Sequence, residues 1–417
     1  MIKIVETDCG VRLVMERIPH VQSVSVGLWV RAGSVHEEKR TGGISHVVEH
    51  MLFKGTETKS AKQIAEEVDS IGSHMNAFTG KESTCYYIKS LASNIEQSTD
   101  ILLDMFLNSV FEPKELRKEK RVIREEIKMI EDSPEDDIYE QIGALVFKGM
   151  PLERSVIGTS GSLRHISQCE IKNYVESQYT KDSIVVSVAG NFEEDQIRNI
   201  IEGKLAGLRP SKEWDGMEGL PHTPKRKIKE KDIEQAHICL GTRGVKLGDD
   251  RYYAFAILNN ILGGGMSARL FQNIREQKGL AYAVYSSSNS FTETGIFSIY
   301  AAVAHDKVQE ALAAIREELE ALRKKGITAD ELKASQEQLK AQYIFSQESV
   351  NGRMFSIGKH LTLLGKVMHP EEVIARIDAV DLACLEEVSK LVDDIKTYSG
   401  VLITNGRPGS KTWAVCS

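Results

Sequence analysis

The opening ninety residues alternate between hydrophobic and polar positions in several short runs. Residues 21–32 alternate with a period of two and are rich in Val, Leu and Trp, and residues 10–16 repeat the pattern. Both segments are therefore predicted strands. Residues 75–78 and 85–90 alternate in the same way on either side of a Thr-Gly-Lys-Glu turn, which predicts a hairpin. The short apolar run 184–189 predicts one further, buried strand.

Helical periodicity fills the intervals between these strands. The first helix is predicted to run from Thr41, as its N-cap, to Lys54, because Gly55 is well placed just after the last turn. Elsewhere in this half of the chain apolar residues recur every three to four positions, which predicts amphipathic helices. Four such helices are predicted, at 61–71, 94–108, 113–133 and 136–147.

The second half of the chain repeats this order of elements. Its predicted elements are a strand at 237–242, a helix at 251–262, a hairpin at 282–291 and 295–303, and a helix at 306–325. Between the halves, residues 207–226 hold three of the nine prolines and three glycines without apolar periodicity, which predicts a boundary. We therefore predict an α+β fold of two structurally related domains, 1–212 and 227–417, joined by a linker at 213–226.

Composition and charge narrow the classes of function. The chain has 53 Lys and Arg against 60 Asp and Glu, a formal net charge of −7, which argues against a nucleic-acid binder. No apolar run approaches the roughly 18 residues of a membrane span, and the amino terminus lacks the pattern of a signal peptide. The six cysteines are scattered without a CxxC pair, which favours reduced thiols. We predict a cytoplasmic protein without a membrane span or a nucleic-acid partner.

The strongest chemical signal is the sequence HVVEH at residues 46–50. On a helix, His46, Glu49 and His50 share one face, so that two imidazoles can bind one Zn²⁺ while the carboxylate reaches the water beside it. The alternative interpretation is a surface helix that carries two histidines by chance. The rest of this helix is apolar, which favours a buried polar stripe that needs a partner such as a metal.

A zinc site of this kind usually takes a third protein ligand and keeps one position open. The glutamate-rich helix at 113–133 offers Glu119, Glu125 and Glu126. Glu119 and Glu126 share a face but lie about 10.5 Å apart along the axis, so only one of them can ligate the ion, while the other can lie beside it. Taken alone, this helix also fits a solvent-exposed face of salt bridges.

The motifs resemble those of the M16 (pitrilysin/insulinase) metallopeptidases. The likeness is greatest to the subfamily of the mitochondrial processing peptidase and its short bacterial relatives. It rests on HVVEHMLFKGT at 46–56, and on VIREE at 122–126 followed by EDSP at 131–134. The resemblance implies that Glu126 is the third ligand and Glu119 an assisting carboxylate, and that each chain holds one Zn²⁺.

The same resemblance implies further site residues. Asn76, Ala77 and Phe78 correspond to a strand whose open edge pairs with an extended peptide, although from the sequence alone Asn76 is equally well a simple hairpin residue. Arg275 and Tyr282 resemble a pair that donates hydrogen bonds to a substrate carbonyl. The resemblance also implies domains built of an antiparallel sheet flanked by helices, and a homodimer that closes around a chamber.

The sequence therefore predicts a zinc metalloendopeptidase that cleaves unstructured peptides. Glu49 is expected to take a proton from the attacking water and to pass it to the leaving amine. Two alternatives remain open: a non-catalytic partner subunit of a homologous peptidase, and a peptide-binding module with a structural metal. The intact HVVEH and Glu126 argue against the first, and the lack of a fourth ligand argues against the second.

Overall fold

Apolar runs form the strands of two sheets in this computed structural model, which describes residues 2–210, 216, 219–406 and 413. The predicted linker lies partly outside this range, at 213–215, 217 and 218. Seven of the predicted strands are confirmed within a few residues at each end, and so is the eighth, the buried run near residue 184. The described residues form eleven strands: β1 (Ile2–Glu6), β2 (Arg12–Arg17), β3 (Ser23–Val30), β4 (His74–Thr79), β5 (Thr84–Leu91), β6 (Ile184–Gly190), β7 (Arg226–Glu230), β8 (Ala236–Gly244), β9 (Ala281–Ser290), β10 (Gly295–Val303) and β11 (Ser399–Thr404).

The α-helices surround these sheets, and all of the predicted helices are present. They are α1 (Ile44–Leu52), α2 (Ala61–Ser70), α3 (Ile95–Asn108), α4 (Pro113–Asp132), α5 (Pro134–Val146), α6 (Gln168–Gln178), α7 (Glu194–Leu205), α8 (Tyr252–Gly263), α9 (Val308–Lys325), α10 (Ala329–Ser346), α11 (Val350–Leu364), α12 (Pro370–Asp378) and α13 (Leu382–Ser389). Across the described part of the chain, none of the helices combines the length and apolar character that a membrane crossing requires.

Each sheet is antiparallel except at one pair of strands. The first has the order β1-β2-β6-β3-β5-β4, and the second has the order β7-β11-β8-β10-β9. The pairs β2–β6 and β7–β11 are parallel, so each of the predicted antiparallel sheets contains one parallel pair. The α+β class is confirmed. In the first sheet, β4 forms one edge and has a partner on one side only.

The chain divides into two compact units, each assembled from segments that are far apart in sequence. Unit 1 comprises Met1–Lys128, Arg154–Gly216 and Ile344–His369, and unit 2 comprises Met129–Glu153, Met217–Tyr343 and Pro370–Ser417. In each unit, a helix from a distant segment packs on the sheet. Helix α11 lies against β3 and β6 of unit 1, and α5 lies against β8 of unit 2. Helix α1 occupies the large apolar core of unit 1.

The contact between α11 and the first sheet depends on a glycine. A Cβ at Gly358 would lie 2.0 Å from Nε1 of Trp29 and 2.6 Å from Oγ of Ser187, two atoms that are themselves joined by a buried hydrogen bond of 3.0 Å. Such distances are far below van der Waals contact. The helix can approach the sheet this closely only because residue 358 has no side chain.

Gly358→Ala is therefore expected to destabilise the protein by about 1–3 kcal/mol, since the added methyl group overpacks a closed interface. The matched control is Gly203→Ala, in the exposed part of α7, where an added Cβ meets nothing within 4 Å. That change is expected to be neutral or to stabilise the protein by about 0.5–1 kcal/mol. Urea unfolding followed by circular dichroism gives both values, and equal midpoints for the two variants would contradict this packing account.

Candidate metal centre

Helix α1 begins at Ile44, so the prediction of Thr41 as N-cap is wrong. Thr41 ends a short 3-10 turn, and Gly43, with a φ of 93°, is the N-cap residue. The two oxygens of the Glu37 carboxylate accept hydrogen bonds from the backbone N–H groups of Gly43 at 2.7 Å and Ser45 at 2.9 Å. Burial raises the pKa of Glu37, although these hydrogen bonds oppose the shift. A carboxylate seven residues upstream of Ile44 thus satisfies the orphan donors that a local N-cap side chain normally satisfies.

The two faces of α1 have different surroundings. Val47, Val48 and Met51 are fully buried in the core of unit 1. This packing fixes the rotation of the helix, and the opposite face presents His46 and His50. The centroids of these two imidazole rings lie 4.6 Å apart.

Helix α4 brings Glu126 to the two histidines. Oε2 of Glu126 lies 3.6 Å from Nε2 of His50 and 3.9 Å from Nε2 of His46. One ligand atom from each of the three residues lies within 4.8 Å of the others. Glu126 follows His50 by 76 positions in the sequence, and it nevertheless forms a three-ligand cluster with His46 and His50 in space.

The donor set of this cluster fits zinc. Nitrogen and oxygen ligands at about 2.0–2.2 Å from a tetrahedral ion lie roughly 3.4 Å apart, which is close to the separations found here. Burial, reinforced by the charge of His50, lowers the pKa of His46 to about 4, so that its imidazole is neutral, as metal ligation requires. Two imidazoles and one carboxylate are a donor set of catalytic zinc sites, which keep a fourth position open.

Glu49 lies on the same helix and is held by a residue of β4. The hydroxyl group of Thr79 donates a short hydrogen bond to Oε2 of Glu49. Burial raises the pKa of Glu49, and the hydrogen bond from Thr79 partly offsets this effect. The sequence predicts Thr79 as the first residue of a hairpin turn and not as a partner of Glu49. In the structure it is the last residue of β4 and lies on the face opposite Phe78.

Glu119 contacts the second histidine from the side away from Glu126. Its Oε2 lies 3.0 Å from Nδ1 of His50, and its Oε1 accepts a hydrogen bond of 2.9 Å from Nζ of Lys54. Burial alone would raise the pKa of Glu119, but the hydrogen bonds from Lys54 and His50 bring it below its usual value. A carboxylate at Nδ1 fixes the ring orientation and leaves Nε2 free for a metal. The contact between Lys54 and this carboxylate was not predicted from the sequence.

Glu119→Gln is therefore expected to weaken zinc binding by about 10- to 100-fold without abolishing it, since the orienting carboxylate is lost while all three ligands remain. Titration of metal-free protein with zinc against a competing chelator gives the dissociation constant. Glu115→Gln, four residues earlier on the same helix and paired with Lys118 at 2.7 Å, is the control and should leave the constant unchanged. Equal constants for the Glu119 variant and the wild type would remove this role for Glu119.

Glu125 takes no part in the cluster of ligand atoms. Its side chain is 68% exposed and forms an ion pair of 2.8 Å with Lys128 on the same helix. The angular separation of about 100° between neighbouring helical residues directs Glu126 inward and Glu125 outward. The structure thus distinguishes two adjacent glutamates that the sequence presents as alternatives.

The predicted substrate strand lies beside the cluster, within unit 1. Asn76 and Phe78 are exposed and Ala77 is half-buried, as the alternation of a strand requires. The ring of Phe78 packs edge-on against Trp29 and against Phe355 of α11, with centroid distances of 5.6 and 5.7 Å. Because β4 is an edge strand, its outer backbone groups have no ladder partner within the first sheet.

Arg275 and Tyr282 belong to unit 2. Arg275 lies in a π-helix over Phe271–Gln277, and Tyr282 is 72% exposed near the start of β9. Gly279, with a φ of 60°, turns the chain between them. The guanidinium carbon of Arg275 lies 5.7 Å from the ring centroid of Tyr282, so the structure brings the predicted pair together.

Comparison with known proteins agrees with this geometry. The family described as "Insulinase (Peptidase family M16)" matches residues 12–160, and "Peptidase M16 inactive domain" matches residues 165–339. A Bacillus subtilis protein named as an uncharacterized zinc protease is 42% identical over 97% of this chain and 98% of its own length. A Rickettsia felis protein with the same description is 36% identical over 93% of this chain and 94% of its own length.

Solved structures share the fold. The peptidase M16 inactive domain from Pseudomonas fluorescens superimposes with a TM-score of 0.90 at 18% identity, covering 98% of this chain and 99% of that one. A protease from Helicobacter pylori gives 0.86 at 20% identity, covering 97% and 99%. These structures show the fold, while the two family descriptions and the relatives of 42% and 36% identity show the family: the chain belongs to peptidase family M16.

Proposed function

We propose that this chain is a zinc-dependent endopeptidase that cleaves unstructured peptides. The observation that carries the proposal is the convergence of His46, His50 and Glu126 on one point, with the carboxylate of Glu49 presented by the same helix. A structural zinc normally has four protein ligands, and the described residues supply three at this place. The arrangement therefore favours a site that keeps a position for water and substrate.

The three ligands would hold the zinc, which when bound polarises the scissile carbonyl and lowers the pKa of water. Glu49 serves as the general base, because the hydrogen bond from Thr79 engages Oε2 and leaves Oε1 to accept a proton from the attacking water. The same carboxyl group then donates that proton to the leaving amine. Burial raises the pKa of Glu49, which is the direction that favours a carboxylate acting as a general base.

Substrate binding is assigned to the open edge of β4. A peptide that adds to this edge as a further strand gains main-chain hydrogen bonds along Asn76, Ala77 and Phe78, whatever its sequence. This mode requires a free, extended backbone, so folded proteins are excluded as substrates. Peptides are thus the partners that the edge strand fits.

The second sequence domain, 227–417, is assigned a role in substrate contact through Arg275 and Tyr282. Their guanidinium and hydroxyl groups are suited to donate hydrogen bonds to a carbonyl oxygen of the peptide. The resemblance to the processing peptidases supports a homodimer that encloses the substrate, with residues 1–212 as the zinc-binding domain and 213–226 as the linker. One Zn²⁺ per chain and a cytoplasmic location complete the proposal.

The alternative is a non-catalytic partner subunit, and the match to an "inactive domain" is the observation that favours it. That match covers residues 165–339, which contain none of His46, Glu49, His50 and Glu126. All four lie within the 12–160 segment matched by the other family description. The match to the inactive domain therefore does not argue against a catalytic site in the first domain.

The proposal predicts chelator-sensitive cleavage of a disordered peptide. Zinc-loaded protein should cleave a quenched fluorogenic peptide, lose this activity on addition of a chelator, and regain it with zinc but not with magnesium. The same peptide segment placed inside a compact folded protein should resist cleavage, because strand addition needs a free backbone. His50→Ala is the control, since it removes a ligand and should be inactive with or without added zinc. Cleavage that persists in this variant would refute the assigned metal centre.

A further inference from the structure

The guanidinium of Arg275 lies close to a second aromatic ring besides that of Tyr282. Its carbon atom is 4.8 Å from the ring centroid of Phe271, which is closer than the 5.7 Å to Tyr282. Both distances are within the range of about 6 Å in which a cation is attracted to the face of an aromatic ring. Arg275 thus contacts two rings, one from its own π-helix and one from β9.

The two rings differ in how firmly they are held. Tyr282 is 72% exposed, whereas Phe271 is half-buried, and Ile274, which lies between Phe271 and Arg275, is fully buried. The π-helix is therefore anchored in the core at Ile274. The ring of Phe271 is the more fixed of the two surfaces available to Arg275.

Other contacts of Arg275 are weak. Its Nε lies 3.9 Å from the carboxylate of Glu276, and the two side chains are 41% and 53% exposed. An ion pair of this length and exposure contributes little to the position of either group. Because arginine has many rotamers, an unrestrained guanidinium at this site would be spread over several positions.

We propose that Phe271 is a positioning residue, which holds the guanidinium of Arg275 through a cation–π contact so that its N–H groups face a carbonyl oxygen of the peptide. The contact itself is independent of the assigned activity, while its consequence for catalysis rests on the proposed function. The π-helix supports this assignment because π-helical segments are rare and occur frequently at functional sites.

The test compares Phe271→Leu, which removes the ring but stays apolar, with Phe271→Tyr, which keeps it. In the active protein, Phe271→Leu is expected to lower kcat/KM by about 10-fold. Phe271→Tyr, which keeps an aromatic ring at this position, is expected to leave kcat/KM near the wild-type value. In an Arg275→Ala background, Phe271→Leu should have no further effect. The proposal would be overturned if Phe271→Leu lowered kcat/KM by a similar factor in the wild type and in the Arg275→Ala background. It would also be overturned if Phe271→Leu had no effect on kcat/KM while Arg275→Ala lowered it.

A second readout needs no activity. The Arg275 Nε–Hε resonance, identified by its disappearance in Arg275→Lys, should be displaced by the ring current of Phe271. This displacement should vanish in Phe271→Leu and persist in Phe271→Tyr and in the control Glu276→Gln. If the wild type cleaves no peptide, the proposed function fails while this measurement still decides the contact. A resonance that responds to Glu276→Gln and not to Phe271→Leu would assign the positioning to the ion pair instead.

Discussion

Glu49→Gln is expected to lower kcat for peptide cleavage by about 10²- to 10⁴-fold while leaving the bound zinc unchanged. The amide has the shape of the carboxylate but cannot accept the proton of the attacking water. Glu49 is not one of the three convergent ligands, so its substitution removes no bond to the metal. Steady-state kinetics on a fluorogenic peptide and metal analysis of the same preparation give both quantities.

The control for this change is Glu66→Gln on α2, where the carboxylate is 61% exposed and lies 3.4 Å from Lys62. It removes the same charge from unit 1 without touching the cluster, and it should leave kcat within error of the wild type. Thermal unfolding of both variants verifies that they are folded. If Glu49→Gln retains near-normal kcat, Glu49 is not the general base.

Glu126→Gln is expected to weaken zinc binding by more than about 100-fold, a larger effect than that of Glu119→Gln. Loss of an anionic ligand costs more than loss of the carboxylate that merely orients a histidine, for which 10- to 100-fold is typical. Oε2 of Glu126 is within 4 Å of Nε2 of both histidines. Glu119, by contrast, contacts one of the two histidines, at Nδ1 of His50. Competition between the metal-free protein and a zinc chelator gives the dissociation constants.

Glu125→Gln is the matched control because it changes the neighbouring residue of the same helix by the same chemistry. Its carboxylate is exposed and paired with Lys128, so the zinc affinity should not change. Equal losses of affinity in the Glu125 and Glu126 variants would show that the effect arises from the charge of α4 and not from ligation. That result would leave the third ligand unidentified.

Local periodicity was sufficient to predict most elements of the fold but not their assembly. The apolar stripes of α3 and α4 were predicted from the sequence because each helix buries one face. The strands β3 and β5 were predicted from their period-two runs, although β3 is buried along almost its whole length and not on one face only. Helix α10 was not predicted, and it buries one residue, Ser335, so it has no apolar stripe to detect.

The interleaving of the two units could not be read from the sequence. Met354, Ile357 and Leu361 mark α11 as a helix with one buried face. Nothing in that pattern says that the helix packs on a sheet formed more than 160 residues earlier in the chain. Pairings of this kind depend on the tertiary shape of both surfaces, such as the groove at Gly358 that accepts Trp29.

The candidate site was predictable where a fixed helical spacing defines it. His46, Glu49 and His50 follow from one turn of α1, while the choice between Glu119 and Glu126 needed either a family resemblance or coordinates. Glu37 and Thr79 were missed because their partners lie six or more residues away, and no local pattern links them. Glu37 accepts hydrogen bonds at the start of α1, and Thr79 holds the carboxylate of Glu49, so both residues support the candidate site without belonging to its motif.

The most direct test of the central claim is a zinc titration of the metal-free protein in which bound metal and peptide cleavage are measured on the same samples. If His46, His50 and Glu126 form the catalytic centre, cleavage should be absent without zinc, rise in proportion to bound metal, and stop rising at one equivalent per chain. In Glu49→Gln the metal should bind with the same stoichiometry while no cleavage appears. Cleavage by the metal-free protein, or full zinc binding by wild type without any cleavage of disordered peptides, would contradict the account.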